Sequence, residues 1–386
     1  MNYKKMFPMF KNNKGIVYLD NSALTFKPYE VIEEGNNFYE KYSISTRTSD
    51  SILGIEVAKK IIDSRKIIGN FIDAKLNETL FTSGTTESLN LAISMLSKII
   101  YDGEIILTYF NHNSNIIPFF EQFKNNNCKF IFALDTNDII SKITNKTKII
   151  SLSQITNNFN INFDLKKIYE IASKKNIILI NDAAQAISHE KVTLKNSDII
   201  AFSSNKIFGP TGMGILAIKE NLLEKLSPQK WGGGQVINVK GCNWTSKNDI
   251  QKFEPGTLNF AGIFQFKKAI EFISNIGYET INKIEMELAN YAYEKLIKVK
   301  DLQLASKKGD KIIMFNIKNI SSQDVASYLG HNNIYVRSGV FCAHSFTNLK
   351  GYDKSYVRLS LSFYNTKTDI NKLVKYLKKG EYFDFL

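Results

Sequence analysis

The feature that most restricts the fold of this chain is a series of short apolar runs, most of them parted from the next by residues at helical spacing. The runs are EIILT (104–108), KFIFAL (129–134), KIISLS (148–153), NIILIND (176–182) and DIIAFS (198–203). Uninterrupted apolar runs of this length, without polar alternation, suit strands covered on both faces. Strands that alternate with helices predict an α/β architecture, a mainly parallel sheet with helices on either side. Residues 56–73 carry a helical pattern, and FTSGTTE (81–87) opens a second helix through SLNLAISMLSKII. The pattern changes after residue 262. A helical stretch over roughly 262–299 leads into an α+β segment with strands at KIIMFNI and IYVRSG and a final helix from Asp369. Two lobes are expected, since 386 residues are enough to bury a large core.

Charge and composition narrow the function. The net charge is +13, but the lysines are scattered along the chain rather than gathered in a stripe with interleaved aromatics, so a nucleic-acid footprint is not expected. No run reaches the roughly 18 apolar residues of a membrane span, and the N-terminus lacks the apolar stretch of a secretory signal. The three cysteines, Cys128, Cys242 and Cys342, are odd in number and widely spaced. That pattern fits neither a disulfide framework nor a metal site, and points to a reducing, cytoplasmic setting. Of 50 basic residues only Arg47, Arg65, Arg337 and Arg358 are arginine. Lysine serves solubility, whereas a bidentate grip on a carboxylate or phosphate needs a planar guanidinium. These four are therefore candidates for such a grip, although Arg65, in AKKIIDSRKIIGNFI, equally suits a helix surface.

In an open α/β sheet, ligands collect beyond the C-terminal ends of the strands. Lys206 sits there, in SSNKIFGPTG. A partly desolvated lysine at such a place loses its proton and attacks a carbonyl to form a Schiff base; otherwise it is a solvated loop residue. Thr85 and Thr86 lie at a helix start, where free N–H groups and the helix dipole suit a phosphate, or where they act as ordinary caps. His112 follows the run 104–108, placed to stack on a planar ring and move protons, or to fill a structural role. Asp182 ends a continuous apolar run and Gln185 follows it. A carboxylate there needs a partner, which a pyridinium nitrogen supplies; a helix cap is the alternative. With Ser203 as a further phosphate ligand, these are the parts of a pyridoxal-phosphate site.

The same segments resemble the class V aminotransferase family of fold-type I pyridoxal-phosphate enzymes. Within it they resemble the SUF-type cysteine desulfurase group that includes selenocysteine lyases. The likeness runs through YLDNSALTFKP, FTSGTTESLNLA, HNSNIIPF, NDAAQA, SSNKIFGPTGMGIL, WGGGQVI, FEPGTLN, VRSGVFCAH and VRLSLSFYNT. It implies a large domain over 21–264 built on a seven-stranded, mainly parallel sheet, with 1–20 and 265–386 forming a smaller α+β domain. By the same resemblance Lys206 forms the Schiff base, Asp182 pairs with the pyridine nitrogen and His112 stacks on the ring as a catalytic residue. Thr86 and Ser203 hold the phosphate beside Thr85, and Gln185 approaches the phenolic oxygen. Thr257 reaches the phosphate of the neighbouring subunit in a homodimer with shared sites. Arg358 matches the clamp on the substrate carboxylate, and Arg337 a second substrate-site arginine. Cys342, five residues after Arg337, matches the nucleophile. Positive charge favours a thiolate, which attacks the sulfur of L-cysteine to leave alanine and a persulfide for an iron–sulfur scaffold or other acceptor protein.

Four positions depart from the family pattern. Asn205 stands where a histidine is usual. Gln154 replaces an asparagine on the oxygen side of the ring, Asp50 replaces a substrate-side histidine, and Leu24 replaces a smaller or polar residue. Cysteine desulfuration is the leading reading. Selenocysteine lysis or another class V reaction is the second, and a degenerate relative acting as a binding protein the third. The role of Cys342 separates the first two, and uptake of a coloured cofactor separates them from the third.

Overall fold

The computed structural model describes residues 2–46, 51–352 and 354–378. Each of the five apolar runs forms a strand, and two more complete the central sheet. In chain order these are β1 (Thr79–Thr82), β2 (Asp102–Thr108), β3 (Asn127–Ala133), β4 (Thr147–Ser153), β5 (Ile178–Asp182), β6 (Ile199–Ser203) and β7 (Gly214–Ile218). They lie in the order β1-β7-β6-β5-β4-β2-β3. Strands β2 to β6 pair in parallel, and β7 alone runs against its neighbours β6 and β1. The expected seven-stranded, mainly parallel sheet is therefore present.

Burial on both faces explains the continuous apolar runs. Side chains of a strand alternate between faces. Ile200 and Phe202 of β6 enter the core on one side with Ile215 and Ala217 of β7. Ile199, Ala201, Leu216 and Ile218 enter the core on the other. Helix α1 (Ile52–Phe71) and helix α2 (Thr85–Ser97) cover these cores.

The stretch read as one helix over 262–299 is two, α3 (Phe260–Ile276) and α4 (Tyr278–Leu296). Gly277 parts them with a φ of 80°, a left-handed conformation that glycine adopts without strain. Helix α3 packs Phe264, Phe266, Ile270 and Ile273 on the central sheet. The later turns of α4, with Leu288, Ala289, Ala292 and Leu296, join a separate core. That core belongs to an antiparallel sheet of β8 (Leu302–Leu304), β9 (Ile312–Ile317), β10 (Arg337–Gly339) and β11 (Tyr356–Ser360), in the order β8-β9-β11-β10. The N-terminal segment is joined to this second sheet's lobe: Val17–Tyr18 pairs with Ile334–Tyr335, and Asp20 bridges to Ser360.

Arg65 is not the surface residue its helix suggested. It is buried, its guanidinium lies 4.3 Å from the Phe81 ring, and it makes a bidentate pair with Glu254 at 2.7 and 2.6 Å. Glu254 also accepts the Phe81 N–H at 2.7 Å, so the pair fixes the FEPGT loop to β1. Removing one partner of a buried, fully bonded pair leaves the other charge uncompensated. Glu254→Ala is expected to lower stability by about 3–5 kcal/mol in urea unfolding, and a loss under 1 kcal/mol, the scale of an exposed pair, would contradict this role.

Candidate functional site

Because β1, β2, β4, β5 and β6 run the same way, the residues that follow them meet at one edge of the sheet. They enclose a cavity of about 250 Å³ lined by Thr85, Thr86, His112, Ser153, Asn157, Asp182, Gln185, Ser203, Asn205 and Lys206. Most of the residues picked out in the sequence are thus brought together.

One end of the cavity suits an anion. Helix α2 begins at Thr85 after an N-cap glycine, Gly84, that offers no side-chain cap, so its first N–H groups face the cavity end of the helix. The Thr85 N–H and hydroxyl both bond the Ser203 hydroxyl at 2.7 Å, and the Thr86 hydroxyl bonds that of Ser114 at 2.8 Å. These small donors are linked to one another and to no charged group. Two glycines set the approach: a Cβ on Gly214 would lie 2.5 Å from the Gly84 Cα, so the turn after Lys206 must return to β7 through glycine.

The other end carries a carboxylate. Asp182 is 3% exposed, and its oxygens accept the Ala184 N–H at 3.1 Å and the Ser153 hydroxyl at 3.4 Å, neither of them a cation. Burial pushes its carboxyl up, against these bonds and the Lys206 charge. A protonated ring nitrogen is the kind of partner that restores the ionised form.

Lys206 lies between these ends. Burial lowers its ammonium to about 8, opposed by the charge of Asp182 and aided by those of Arg358 and Arg337. The peptide before it is clasped from the N-terminal segment, whose Thr25 N–H, Thr25 hydroxyl and Lys27 ammonium all donate to the Asn205 carbonyl. Burial takes Lys27 down to about 7. His112 is lowered to about 4, by burial first and then by the charges of Lys206, Arg337 and Arg358, so its imidazole is neutral near pH 7. Its Nδ1 accepts the Ser114 N–H at 3.1 Å, which leaves the ring proton on Nε2. Gln185 lines the cavity with its Nε2 bonded to the Ser22 carbonyl at 2.9 Å.

The second lobe contributes two arginines and a cysteine. Arg337 and Arg358 face each other across β10 and β11. Arg358 is 2% exposed; it bonds the Asp20 carboxylate at 2.6 Å and the Asn157 carbonyl at 2.9 Å, while its Nε has no partner. It does not line the cavity itself but reaches it through Asn157. Cys342 is an exposed free thiol with its Sγ 4.0 Å from an Arg337 nitrogen. Cys242 lies in the turn of a hairpin formed by Val236–Lys240 and Asn243–Ser246, and Cys128 in β3.

Two expected residues, Gln154 and Thr257, do not line this cavity. Gln154 is turned away: its amide nitrogen bonds Glu190 at 2.6 Å and the Lys191 carbonyl at 3.3 Å, and its oxygen accepts from Asn181 at 2.8 Å. It lines a different cavity. The alternation of an extended chain is the reason, because Ser153 faces the ligand cavity and the next side chain faces the opposite way. Asn157, three residues on, lines the ligand cavity instead. Thr257 is exposed and lines a separate cavity of about 620 Å³ beside Arg65 and Glu254. Asp50 lies outside the described residues, as does Arg47. Leu24 contributes its carbonyl, which accepts the Tyr18 hydroxyl at 2.7 Å. Ser114, Ser153 and Asn157 were missed in the sequence; Ser153 alone had a signal, as the final residue of a strand, like Asp182 and Ser203.

Among the described residues no group of three or more histidines, cysteines or carboxylates is placed to hold a metal ion, and no helix is long and apolar enough to cross a membrane.

Comparisons with known proteins identify the family and the fold. Residues 17–373 match the family model described as aminotransferase class-V. A protein of Ureaplasma parvum serovar 3 named "Probable cysteine desulfurase" is 35% identical over 98% of this chain and 96% of its own. Among solved structures, the apo cysteine desulfurase of Thermococcus onnurineus NA1 superposes with a TM-score of 0.92 at 28% identity, covering 97% of this chain and 96% of that one. The cysteine desulfurase CsdA of Escherichia coli, in an S-sulfonic acid form, gives 0.89 at 25% identity over 98% and 97% of the two chains.

Proposed function

The chain belongs to the class-V aminotransferase family, and from that premise we propose that it is a pyridoxal-phosphate-dependent cysteine desulfurase, converting L-cysteine to L-alanine with a persulfide left on Cys342. One observation carries the reading: a cavity with an anion cradle, a buried carboxylate and a lysine of lowered basicity stands beside a loop that presents an exposed thiol next to Arg337.

The residues present fit the cofactor. The α2 N-terminus with Thr85, Thr86 and Ser203 would hold its phosphate, Asp182 its ring nitrogen, His112 its ring face and Lys206 its aldehyde carbon. When bound, the cofactor supplies an electron sink for the substrate's carbon skeleton. Everything else falls to the chain. Arg358 and Arg337, two cations side by side, attract and orient the carboxylate of an amino acid. Lys206 and the Nε2 of His112 are the groups placed to exchange protons within the cavity. The Cys342 sulfur attacks the substrate sulfur: a sulfur–sulfur bond forms, the carbon–sulfur bond breaks, and its electron pair stays with the carbon skeleton, which gains a proton to become alanine. Cysteine and a thiol give alanine and a persulfide, with no outside oxidant. A homodimer in which Thr257 serves the partner's phosphate site, a protein that accepts the sulfur for iron–sulfur assembly, and a cytoplasmic location belong to the same proposal.

The position of Lys206 near 8 gives a test in the loading step. The neutral, nucleophilic amine rises from roughly a tenth of the population near pH 7 to roughly nine-tenths near pH 9. Asp182 and Asp20 oppose this lowering while Arg358 and Arg337 add to it. Uptake of pyridoxal phosphate by apo protein, followed by absorbance, is expected to quicken by about tenfold over that range. A flat or falling rate would contradict the assignment. Release of alanine from L-cysteine by the loaded protein tests the activity itself, and loaded protein that produces none would contradict it.

A further inference from the structure

The loop bearing Cys342 is shaped by contacts that the reaction above leaves unused. Phe341 and Cys342 have φ angles of 56° and 54°, two successive left-handed residues, neither of them glycine. Such a pair persists only where the surroundings hold it. The Phe341 ring is buried among Phe110, Met314, Phe346 and Tyr356, and Asn157 Nδ2 donates to the Phe341 carbonyl at 2.7 Å. On the far side, the Asn113 N–H donates to the Cys342 carbonyl at 2.6 Å. The Asn113 side chain adds two bonds just beyond the thiol: its Oδ1 accepts the His344 N–H at 3.2 Å, and its Nδ2 donates to His344 Nδ1 at 2.9 Å. Asn113 directly follows His112, so one peptide joins the face of the cofactor cavity to both flanks of Cys342.

We infer that Asn113, through its two side-chain bonds to His344, is a positioning residue for sulfur transfer, clipping the Cys342 loop to the segment that carries His112 and so fixing the height and direction of the thiol over the substrate. The inference rests on the desulfurase reading. Its side chain does not line the cavity, so its loss should leave cofactor and cysteine binding alone and act on the attack. Misplacement of a reacting atom by about 1 Å can slow a reaction by up to roughly a hundredfold.

The test compares loaded wild-type enzyme with Asn113→Ala, His344→Ala and the double variant. Each single change is expected to lower kcat for alanine formation by about tenfold, while KM and the change in cofactor absorbance on adding L-cysteine stay within about twofold. The double variant should be no slower than Asn113→Ala, because His344→Ala removes only the ring bond, one of the two contacts that Asn113→Ala removes together. A purely structural role would instead lower the thermal midpoint and weaken cofactor retention without separating kcat from KM. His344 is exposed, so its variant keeps the test open if Asn113→Ala fails to fold. Wild-type kcat in both single variants, or losses that multiply in the double, would overturn the clip. Cys342→Ser separates the two levels: full activity there would overturn the desulfurase reading and the clip with it, whereas an inactive Cys342→Ser beside fully active Asn113→Ala would overturn the clip alone.

Discussion

Lys206→Ala is expected to lower alanine release from L-cysteine by at least about a thousandfold, the scale of losing an essential nucleophile, and to make bound cofactor removable by dialysis. The physical reason lies in how the cavity divides its work. The anion cradle of Thr85, Thr86 and Ser203 and the buried Asp182 remain after the change, so binding survives in weakened form. What disappears is the amine, lowered to about 8, to which the proposal assigns the bond to the aldehyde and the proton transfers within the cavity. Absorption spectra before and after dialysis read out the covalent part, and alanine assays the catalytic part. A dialysed variant that keeps its visible absorbance and turns over cysteine would remove Lys206 from the account.

Cys342→Ser should reduce alanine and persulfide formation by at least about a hundredfold, since a hydroxyl is a far poorer nucleophile toward sulfur than a thiol. The loaded variant should still show the wild-type absorbance and still respond spectrally to L-cysteine, because Cys342 stands outside the cavity, on an exposed loop near Arg337. That separation distinguishes the second prediction from the first: one change removes the cofactor's anchor, the other only the sulfur acceptor. Unchanged alanine release in Cys342→Ser would mean that the thiol is not on the path of the sulfur.

Much of the site could be read from the chain because it hangs on strand ends, and strands buried on both faces announce themselves as apolar runs. Asp182, Ser203 and Lys206 follow such runs directly, and the cavity collects them. The two strands of the central sheet that escaped notice have physical excuses. β1 is four residues long and runs straight into the helix that FTSGTTE opens, and β7 begins inside a glycine-rich turn. The break at Gly277 was hidden because an apolar helical pattern continues across it. Gln154 was named from the family resemblance alone; the alternation that turns it to the opposite side, while Asn157 lines the cavity, is not visible in a motif match. The buried pair of Arg65 with Glu254 joins residues 189 positions apart, and no local pattern encodes such a contact. Nor does sequence spacing reveal that Asp20 and Asn157 hold the Arg358 guanidinium, or that Asn113 reaches across to Cys342.

The account turns on sulfur passing to one particular thiol, and peptide mass mapping after a brief reaction of loaded enzyme with L-cysteine, without reductant, addresses that directly. It predicts one extra sulfur atom on the peptide containing Cys342, accumulating in step with free alanine. Alanine accompanied by sulfur on Cys128 or Cys242 alone, or by sulfide with none on Cys342, would contradict it.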